Sequence, residues 1–303
     1  MLDLTVIILT KDEQLHIKRC LECVNQLARK IYVVDCFSTD RTQEIARSLG
    51  AEVVEKQWPG NQAAQFNWAL EHLYIDTEWV LRLDADEYLL PGLIEELQNK
   101  IPFLTQDVTG IVFNRRHIFM GRWMKRGIYP VKMLRMFRKG KAVCEQRLMD
   151  EHLRITEGRT EEYENDFCDH NLNDISWFCR KHVNYAIREA AEMLDLEYNL
   201  SDFSSEGTTN GLSEQTLEKR QKKLKYASQP LFLRSFAYFL YRYIIRGAWR
   251  EGKEGFIFTF IQGWWYRTLV DANIYEIKKE CGMDKEKIYN LLEDKYHIFI
   301  RKR

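Results

Sequence analysis

Hydrophobic and polar positions follow two alternating periods along the first third of the chain. An uninterrupted apolar run at 4–9, rich in β-branched residues, predicts a buried strand. Between positions 17 and 27, apolar residues recur three and four positions apart, which predicts a helix. Further strands are predicted at 30–34, 51–55 and 79–83, separated by helices that include 62–73. This alternation predicts an α/β fold with a mostly parallel sheet and helices on both of its faces.

Polar residues follow three of the four predicted strands at the point where each strand ends. Ligands bind beyond the carboxyl edge of such a sheet, where the strand ends meet, so we expect these residues to line one cleft. None of the three turns has the glycine-rich pattern of a dinucleotide or P-loop site, which leaves carboxylates to hold the ligand. The candidate binding residues are Thr10, Asp12, Glu13, Asp35, Asp84 and Asp86.

Three acids, Asp84, Asp86 and Glu87, end the fourth predicted strand. Strand alternation would place Asp84 and Asp86 on the same side of the backbone, and like charges held this close usually share a cation. Oxygen ligands favour Mg²⁺ or Mn²⁺, and Mg²⁺ takes its other ligands from water and substrate phosphates. We therefore predict a nucleoside diphosphate ligand, with Asp35 on the base and Asp84 on the ribose or the metal. The alternative is a solvated acidic turn after a buried strand.

Three segments together resemble the family two glycosyltransferases of the GT-A type. They are Ile-Ile-Leu-Thr-Lys-Asp-Glu at 7–13, Val-Val-Asp-Cys-Phe-Ser-Thr-Asp at 33–40 and Leu-Asp-Ala-Asp-Glu at 83–87. With Gln-Phe-Asn at 65–67, they are most similar to the branch that glucosylates lipopolysaccharide core and capsule. The resemblance implies the GT-A nucleotide-diphospho-sugar transferase fold, with a Rossmann-like sheet. The wider family often has paired acids and a glycine where this chain has Cys36 and Phe37, so Asp35 is the single acid expected on the base.

The same resemblance implies metal-dependent sugar transfer with inversion, from a nucleoside diphosphate sugar such as a UDP-sugar to a bacterial envelope glycan or lipid-linked acceptor. In this family an acidic pair after the central strands supplies the base, and Asp150-Glu151 occupies that place. Glu151, the second acid, is the first candidate and Asp150 the second, while His152 is an alternative because imidazole titrates near neutral pH. Related enzymes often add a late histidine to the metal or the diphosphate. His170 is the candidate, and a purely structural histidine is the alternative.

A basic and aromatic segment lies between 115 and 141, around strands predicted at 111–119 and 131–137. Trp123 and Tyr129 are placed to stack on a sugar while neighbouring cations contact an anionic acceptor, which predicts an acceptor groove. A solvated charged face is the alternative. Single-stranded nucleic acid is disfavoured, because Lys plus Arg equals Asp plus Glu at 45 each.

The C-terminal third changes character. Residues 201–213 are rich in Ser, Gly, Thr and Asn, which predicts a mobile loop, and a basic helix is predicted at 217–226. Arg234, Tyr238, Arg242 and Arg246 recur every four residues on an aromatic helix, and a second aromatic run at 255–266 is too short to span a bilayer of about 30 Å. A cationic stripe beside aromatic residues is typical of helices that lie on a membrane surface, and packing against protein is the alternative.

We accordingly predict a catalytic domain at 1–200, with a nucleotide-sugar half at about 1–100 and an acceptor half at about 101–200, and a helical extension at 201–303. Seven scattered cysteines and no recognisable signal peptide predict a cytoplasmic protein, with contact to the inner face of the cell membrane through the extension. Two other functions remain open. One is a sugar nucleotidyltransferase, although its usual glycine-rich first loop is missing, and the other is a non-catalytic membrane-surface adaptor.

Overall fold

The computed structural model describes residues 1–145, 147–149, 151–200 and 214–299. The strands are β1 Leu2–Thr10, β2 Ala28–Asp35, β3 Glu52–Glu55, β4 Trp79–Asp84, β5 Glu87–Leu89, β6 Val108–Phe119, β7 Arg122–Trp123, β8 Val131–Arg138, β9 Ala142–Cys144, β10 Leu153–Ile155 and β11 Arg159–His170. The helices are α1 Ile17–Val24, α2 Thr42–Ser48, α3 Gln62–His72, α4 Pro91–Lys100, α5 Ile175–Tyr198, α6 Glu214–Ala227, α7 Leu233–Leu240, α8 Gly252–Phe258, α9 Tyr266–Cys281 and α10 Lys285–Tyr296. The predicted loop at 201–213 lies outside the described residues.

The main sheet has the strand order β3-β2-β1-β4-β8-β6-β11-β5, with β7 paired to β6. Strands β3, β2, β1 and β4 run parallel. Their register pairs Thr10 with Asp35 and Leu9 with Asp84, so the ends of β1, β2 and β4 lie side by side. The predicted meeting of these strand ends at one edge is confirmed.

The second half of the sheet differs from the predicted, mostly parallel arrangement. Strand β8 runs antiparallel to both β4 and β6, and β5 runs antiparallel to β11, so the whole sheet is mixed. The chain turns sharply after β4 and enters the short strand β5. Asp84 is therefore the last residue of β4 and Asp86 lies in the turn, so strand alternation does not relate them.

The continuous apolar runs of the central strands are buried on both faces of the sheet. Along β1, Val6 and Ile8 pack into the core that contains α1 and α4, whereas Ile7 and Leu9 pack into the core beneath α3. A strand covered on both faces needs an apolar side chain at every position, which explains the uninterrupted pattern. The predicted helices on both faces are confirmed.

Helix α5 joins the sheet to the C-terminal helices. Its second half packs Ala190 and Leu194 against Ile274 and Ile277 of α9, and α10 closes the same apolar core. Within the described residues, no helix combines the length and the apolar character needed to cross a membrane.

The predicted cationic stripe at 234–246 largely faces the protein interior. Arg234 is 5 % exposed and donates from Nε and Nη2 to Asp271 Oδ1 over 2.8 and 2.6 Å. Arg242 is 2 % exposed, lies over the ring of Phe258 and donates to Gln262. The expectation of a stripe facing lipid headgroups is therefore wrong for these two arginines. Asp271 of α9 pairs with Arg234, whereas Arg242 donates from Nη1 to Gln262 of the neighbouring π-helical segment Thr259–Trp265. The Nε and Nη2 of Arg242 have no hydrogen-bond partner among the described residues. The sequence spacing does not reveal these partners.

Candidate functional site

The turn after β2 is organised by Asp35, which is fully buried. Its carboxylate accepts hydrogen bonds from Thr10 Oγ1 at 2.7 Å, from Ser38 N and Oγ at 2.7 and 2.6 Å, and from Gln43 Nε2 at 2.7 Å. A carboxylate offers about four acceptor positions, and four donors of the protein occupy them. Thr10 and Asp35 lie together as predicted, but this arrangement favours a role for Asp35 in shaping the nucleoside pocket over direct contact with a base.

The loop after β1 is tied to both sides of the cleft. Asp12, with a backbone φ of 54°, accepts from Thr39 N at 2.7 Å. Burial acts to raise the pKa of Asp12, but the bond from Thr39 and the charge of Lys11 outweigh it and lower that pKa. Glu13 contacts His16 Nδ1 at 2.6 Å, and His16 Nε2 accepts from the backbone N–H of Leu172. His16 thereby links the loop after β1 to the loop after β11.

Three carboxylates meet where β4, β5 and β11 come together. Asp84 ends β4, Asp86 lies in the following turn, and the backbone N–H of His170 donates to Asp86 O at 3.0 Å. The antiparallel register of β5 and β11 pairs Glu87 with Asp169, and this brings Asp169 toward the other two acids. Asp86 Oδ2 accepts from Asn171 at 3.1 Å. The structure therefore brings Asp84 and Asp86 close together and adds Asp169 to this carboxylate cluster.

Cations surround Asp84 and Asp169 but leave Asp86 less compensated. Asp84 contacts Arg135 at 3.3 Å and Arg82 at 3.6 Å, and these charges hold its pKa below its usual value although burial opposes them. Asp169 has Arg115 and His117 at 3.3 Å, which together outweigh burial and hold its pKa well below the usual range.

Asp86 has the opposite balance of charges. Burial, followed by the charge of Asp169, raises the pKa of Asp86 to about 6, although Lys181 of α5 opposes the shift. Lys181 lies within electrostatic reach of Asp84, Asp86 and Asp169 together. The cleft thus combines an undercompensated acid with a lysine.

The donor set fits a hard divalent cation shared with a substrate. Asp84 Oδ1 is buried and has no hydrogen-bond partner among the described residues, and burial and the charge of Asp169 raise the pKa of Asp86, as expected for a carboxylate whose charge is not fully compensated. No group of three or more His, Cys, Asp or Glu side chains forms a ready metal site in the part of the chain that the structure describes. Mg²⁺ commonly takes only one or two carboxylates and completes its shell with phosphate oxygens and water, so Asp84 and Asp86 suffice as protein ligands.

His170 reaches the same cleft, but its hydrogen bonding disfavours the predicted metal-ligand role. Arg19 Nη1 lies 2.9 Å from His170 Nδ1, and a guanidinium can only donate, so Nδ1 is the acceptor. Burial and then the charge of Arg19 lower the pKa of His170, which keeps the ring neutral with its proton on Nε2. A metal-binding Nε2 would require Nδ1–H to face an acceptor. The geometry favours the other predicted role, in which Nε2–H donates to a diphosphate oxygen.

Replacing His170 with glutamine should therefore spare metal binding. The glutamine amide retains an N–H donor near the position of Nε2, so we expect transfer to fall less than about tenfold, whereas His170→Leu should cost about a hundredfold. Calorimetry with Mn²⁺ and UDP should give matching affinities for wild type and His170→Gln. His72→Gln, at an exposed histidine of α3, is the matched control. If His170→Gln lost affinity for Mn²⁺ and His72→Gln did not, His170 would be a metal ligand after all.

Glu151 lies near two arginines of the carboxylate cluster. It lines a small cavity with Arg82 and Arg135, the two arginines that contact Asp84, and His152 lines the same cavity. The structure thus places both predicted candidates for the base next to the site. The remaining candidate, Asp150, lies outside the described residues.

A larger cavity of about 170 Å³ opens beside His170. Its walls come from the end of β6, the loop after β11 and the start of α5, and they include His117, Phe119, Asn171 and Phe178. The predicted groove residues Trp123 and Tyr129 do not line it; Trp123 lies under Arg116 at 4.0 Å and edge-on to Tyr129. Several cations of the basic segment are paired within the fold, among them Arg115 with Asp169 and Arg135 with Glu87.

Sequence reasoning missed Asp169, His117 and Arg19 as members of the site. Asp169 and His117 are brought to the cleft by the pairing of β11 with β5 and β6. Arg19 is half-buried on α1, and its contacts with His170 and with the backbone of Asp86 reveal its role. The one available signal was the Asp-His-Asn sequence at 169–171, of which only the histidine was considered.

Comparisons with known proteins agree with this geometry. The model of the Glycosyl transferase family 2 matches residues 5–160, about half of the chain. An uncharacterized glycosyltransferase of Rickettsia bellii is 35% identical over 118 residues, which cover 37% of this chain and 39% of that protein, so the alignment spans about two fifths of the relative. Another, from Rickettsia typhi, is 27% identical over 263 residues, covering 85% of this chain and 82% of the relative.

Among solved structures, a glucosyl-3-phosphoglycerate synthase of Mycobacterium tuberculosis with Mn²⁺, UDP and glucosyl-3-phosphoglycerate has a TM-score of 0.31 and 18% identity, over 38% of this chain and 43% of that one. This resemblance is too low to carry an argument about ligands. The match to the family model, together with the mixed sheet and its flanking helices, identifies a GT-A-like fold with additional C-terminal helices. The chain belongs to glycosyl transferase family 2.

Proposed function

We propose that this chain transfers a sugar, with inversion, from a nucleoside diphosphate sugar to a glycan or lipid-linked acceptor. The observation that carries the proposal is the meeting of Asp84, Asp86 and Asp169 with Lys181 at the carboxyl edge of the sheet. Acids that could bind a metal cation, next to a lysine, suit an anionic ligand that contacts both the metal cation and the lysine. A sugar donor's diphosphate meets that description.

On this proposal, the acids, the two diphosphate-binding side chains and the loop after β1 have separate roles. Asp84 and Asp86 would hold Mg²⁺ or Mn²⁺, which when bound supplies positive charge to the departing diphosphate. Lys181 and the Nε2–H of His170 would contact the diphosphate oxygens as negative charge develops there. The loop of Asp12 and Glu13, braced by the buried pair Thr10 and Asp35, would shape the nucleoside pocket.

Glu151 would act as the base on the acceptor. Glu151 takes the proton from the acceptor hydroxyl, the hydroxyl oxygen forms a bond to the anomeric carbon, and the bond from that carbon to the diphosphate oxygen breaks. Attack and departure take place on opposite faces of the sugar, so the anomeric configuration is inverted. The cavity of about 170 Å³ beside His170 is the candidate subsite for the sugar or the acceptor.

The biological setting of the proposal follows from the sequence motifs. Their resemblance to the lipopolysaccharide-core and capsule branch suggests an envelope glycan as acceptor and a UDP-sugar as the first donor class to test. A cytoplasmic enzyme acting at the inner face of the cell membrane would meet both substrates. The two competing functions, a sugar nucleotidyltransferase and a non-catalytic adaptor, have no observation of their own in the structure.

Calorimetry with nucleotides separates the three functions. The glycosyltransferase should bind UDP only when Mg²⁺ or Mn²⁺ is present, and should hydrolyse or transfer from a UDP-sugar. A nucleotidyltransferase should prefer UTP to UDP, and an adaptor should bind neither. Asp86→Asn, which changes a proposed metal ligand, should lose this metal-dependent binding of UDP. Asp76→Asn is its matched control, because Asp76 is an exposed acid that pairs with Arg29 outside the carboxylate cluster. Binding of UDP with equal affinity in the presence of a metal chelator would contradict the proposed metal site.

A further inference from the structure

The two aromatic helices of the C-terminal region form a hairpin with an outward-facing apolar surface. On its first arm, α7 and the π-helical turn Tyr241–Ile245 present side chains three and four residues apart. On its second arm, α8 and Thr259–Trp265 continue the surface through ring contacts such as Phe236 with Trp264 at 5.0 Å. We call this surface the apolar face; its exposed members are Leu233, Phe236, Leu240, Tyr241, Ile244, Ile245, Trp249, Phe256 and Phe260.

The exposure of these side chains is unusual for a surface that meets only water. Leu233 is 62 % exposed, Ile245 is 75 % exposed and Trp249 is 52 % exposed. Single exposed apolar residues are common, whereas a contiguous patch of this composition usually marks a binding surface. Moreover, the hairpin turns Arg234 and Arg242 inward, so these two charges are used inside the protein and do not interrupt the apolar face.

Charge around the apolar face is mainly positive. Neither 226–250 nor 255–270 contains an aspartate or glutamate. Of the two acids between them, Glu251 is 4 % exposed and Glu254 has a side chain that is 34 % exposed, and both contact Arg122. Exposed cations adjoin the apolar face at Arg246, Arg250 and Lys253, and Arg126 lies beside Gly247.

We propose that the apolar face inserts into the interfacial region of an anionic lipid bilayer, with Arg246, Arg250 and Lys253 on the lipid headgroups. Apolar side chains flanked by cations are the physical signature of helices that lie in a membrane surface. A second copy of the chain fits this surface less well. In a twofold dimer the cations beside one apolar face would lie near the same cations of the other copy and repel them. A bilayer surface supplies both the apolar interior and the negative charge.

The base of the hairpin reaches the larger cavity of the candidate site. Phe258 packs against His117 at 4.8 Å and against Phe119 at 5.1 Å, and both of these residues line that cavity. Insertion of the apolar face would therefore hold the cavity next to the bilayer surface. The role that we give to lipid binding, the delivery of a lipid-linked acceptor, rests on the proposed function. Lipid binding itself requires no catalysis.

The test is cosedimentation of the full chain with vesicles. Wild type should sediment with vesicles of equal parts phosphatidylcholine and phosphatidylglycerol, and less with phosphatidylcholine alone or at high salt. The double variant Ile244→Glu/Ile245→Glu, at two exposed positions, should lower the partition coefficient by about tenfold or more, because two charges would enter the interface. Phe103→Glu is the matched control, since Phe103 is 84 % exposed and far from the hairpin in sequence. Arg250→Gln/Lys253→Gln should weaken binding severalfold to the anionic vesicles alone.

Three outcomes would overturn the inference. Wild type could remain in the supernatant, Phe103→Glu could lose as much binding as the double variant, or the double variant could convert a dimer to a monomer in sedimentation velocity without changing vesicle binding. The last result would assign the apolar face to a second copy of the chain. Asp86→Asn should bind vesicles like wild type, so failure of lipid binding and failure of sugar transfer are separately visible.

Discussion

Asp86→Asn is expected to abolish sugar transfer while making the ligand-free protein more stable at pH 7.5. Loss of the carboxylate removes a proposed metal ligand, and we expect transfer to fall by about 10²–10³-fold. Burial and the charge of Asp169 raise the pKa of Asp86 to about 6, so the charged form is disfavoured in the folded state. Asparagine removes that cost, which we estimate at about 1–2 kcal/mol after allowance for screening by water.

The sign of the pH dependence follows from proton binding. Between the ordinary aspartate pKa and about pH 6, the folded protein holds a proton on Asp86 that the unfolded chain has released. Stability of the wild type therefore declines through this interval as pH rises, and Asp86→Asn should not share that part of the decline. Thermal melts at pH 4.5 and 7.5 should show a clearly larger gain from asparagine at the higher pH.

Asp84→Asn is the matched variant with the opposite expectation. Arg135 and Arg82 hold the pKa of Asp84 below its usual value, so its charge stabilises the fold and asparagine should lower the melting temperature at pH 7.5. Both variants should lose transfer. If Asp86→Asn retained full activity, the diphosphate site would lie elsewhere, and if it melted below the wild type at pH 7.5, the assigned balance of charges around Asp86 would be wrong.

Glu151→Gln has the second large expected effect, which is confined to the chemical step. Removal of the base should lower transfer by about 10²–10⁴-fold. Affinity for UDP with Mn²⁺ should stay unchanged, because Glu151 lines the small cavity behind Arg82 and Arg135 and is not among the proposed metal ligands. Transfer kinetics and calorimetry on the same preparation would measure both quantities.

The neighbours of Glu151 supply the controls. Glu157→Gln changes a glutamate whose side chain is 62% exposed and paired with Lys141, and it should leave transfer intact. Asp150→Asn and His152→Asn test the two other candidates for the base, and His152 lines the same cavity as Glu151. If one of these variants lost transfer while Glu151→Gln retained it, the base would be reassigned to that residue.

The parallel part of the fold was predictable from the sequence because its strands are buried on both faces. Such strands are continuous apolar runs, and β1, β2 and β4 end beside polar residues that meet by register alone. Strand β8 pairs with β4, and strand β11 pairs with β5 and β6; these partners are distant in sequence, and no local pattern encodes which neighbour each strand chooses. Asp169 reaches the site only through that pairing, which explains why it was missed.

The roles of individual side chains were less predictable than their positions. Asp35 lies at the expected strand end, yet its four hydrogen bonds show a carboxylate used inside the turn. His170 lies in the expected cleft, yet Arg19 determines which ring nitrogen carries the proton. Arg234 occupies the expected helix, but Asp271 draws it inward. For His170 and Arg234 the deciding partner is distant in sequence, so the residue type alone left the role open. For Asp35 most of the donors lie within its own turn, and the sequence pattern did not show that they would occupy the carboxylate.

Strand β8 hydrogen-bonds to β4 on one side and to β6 on the other. The acids that would face the donor and the strand β6, which supplies part of the wall of the larger cavity, therefore belong to one hydrogen-bonded sheet. We expect the distance between them to stay nearly constant while the sugar is transferred. Such an enzyme would select its acceptor by length. It would accept molecules whose hydroxyl group reaches the anomeric carbon of the bound donor and reject those that are shorter or longer.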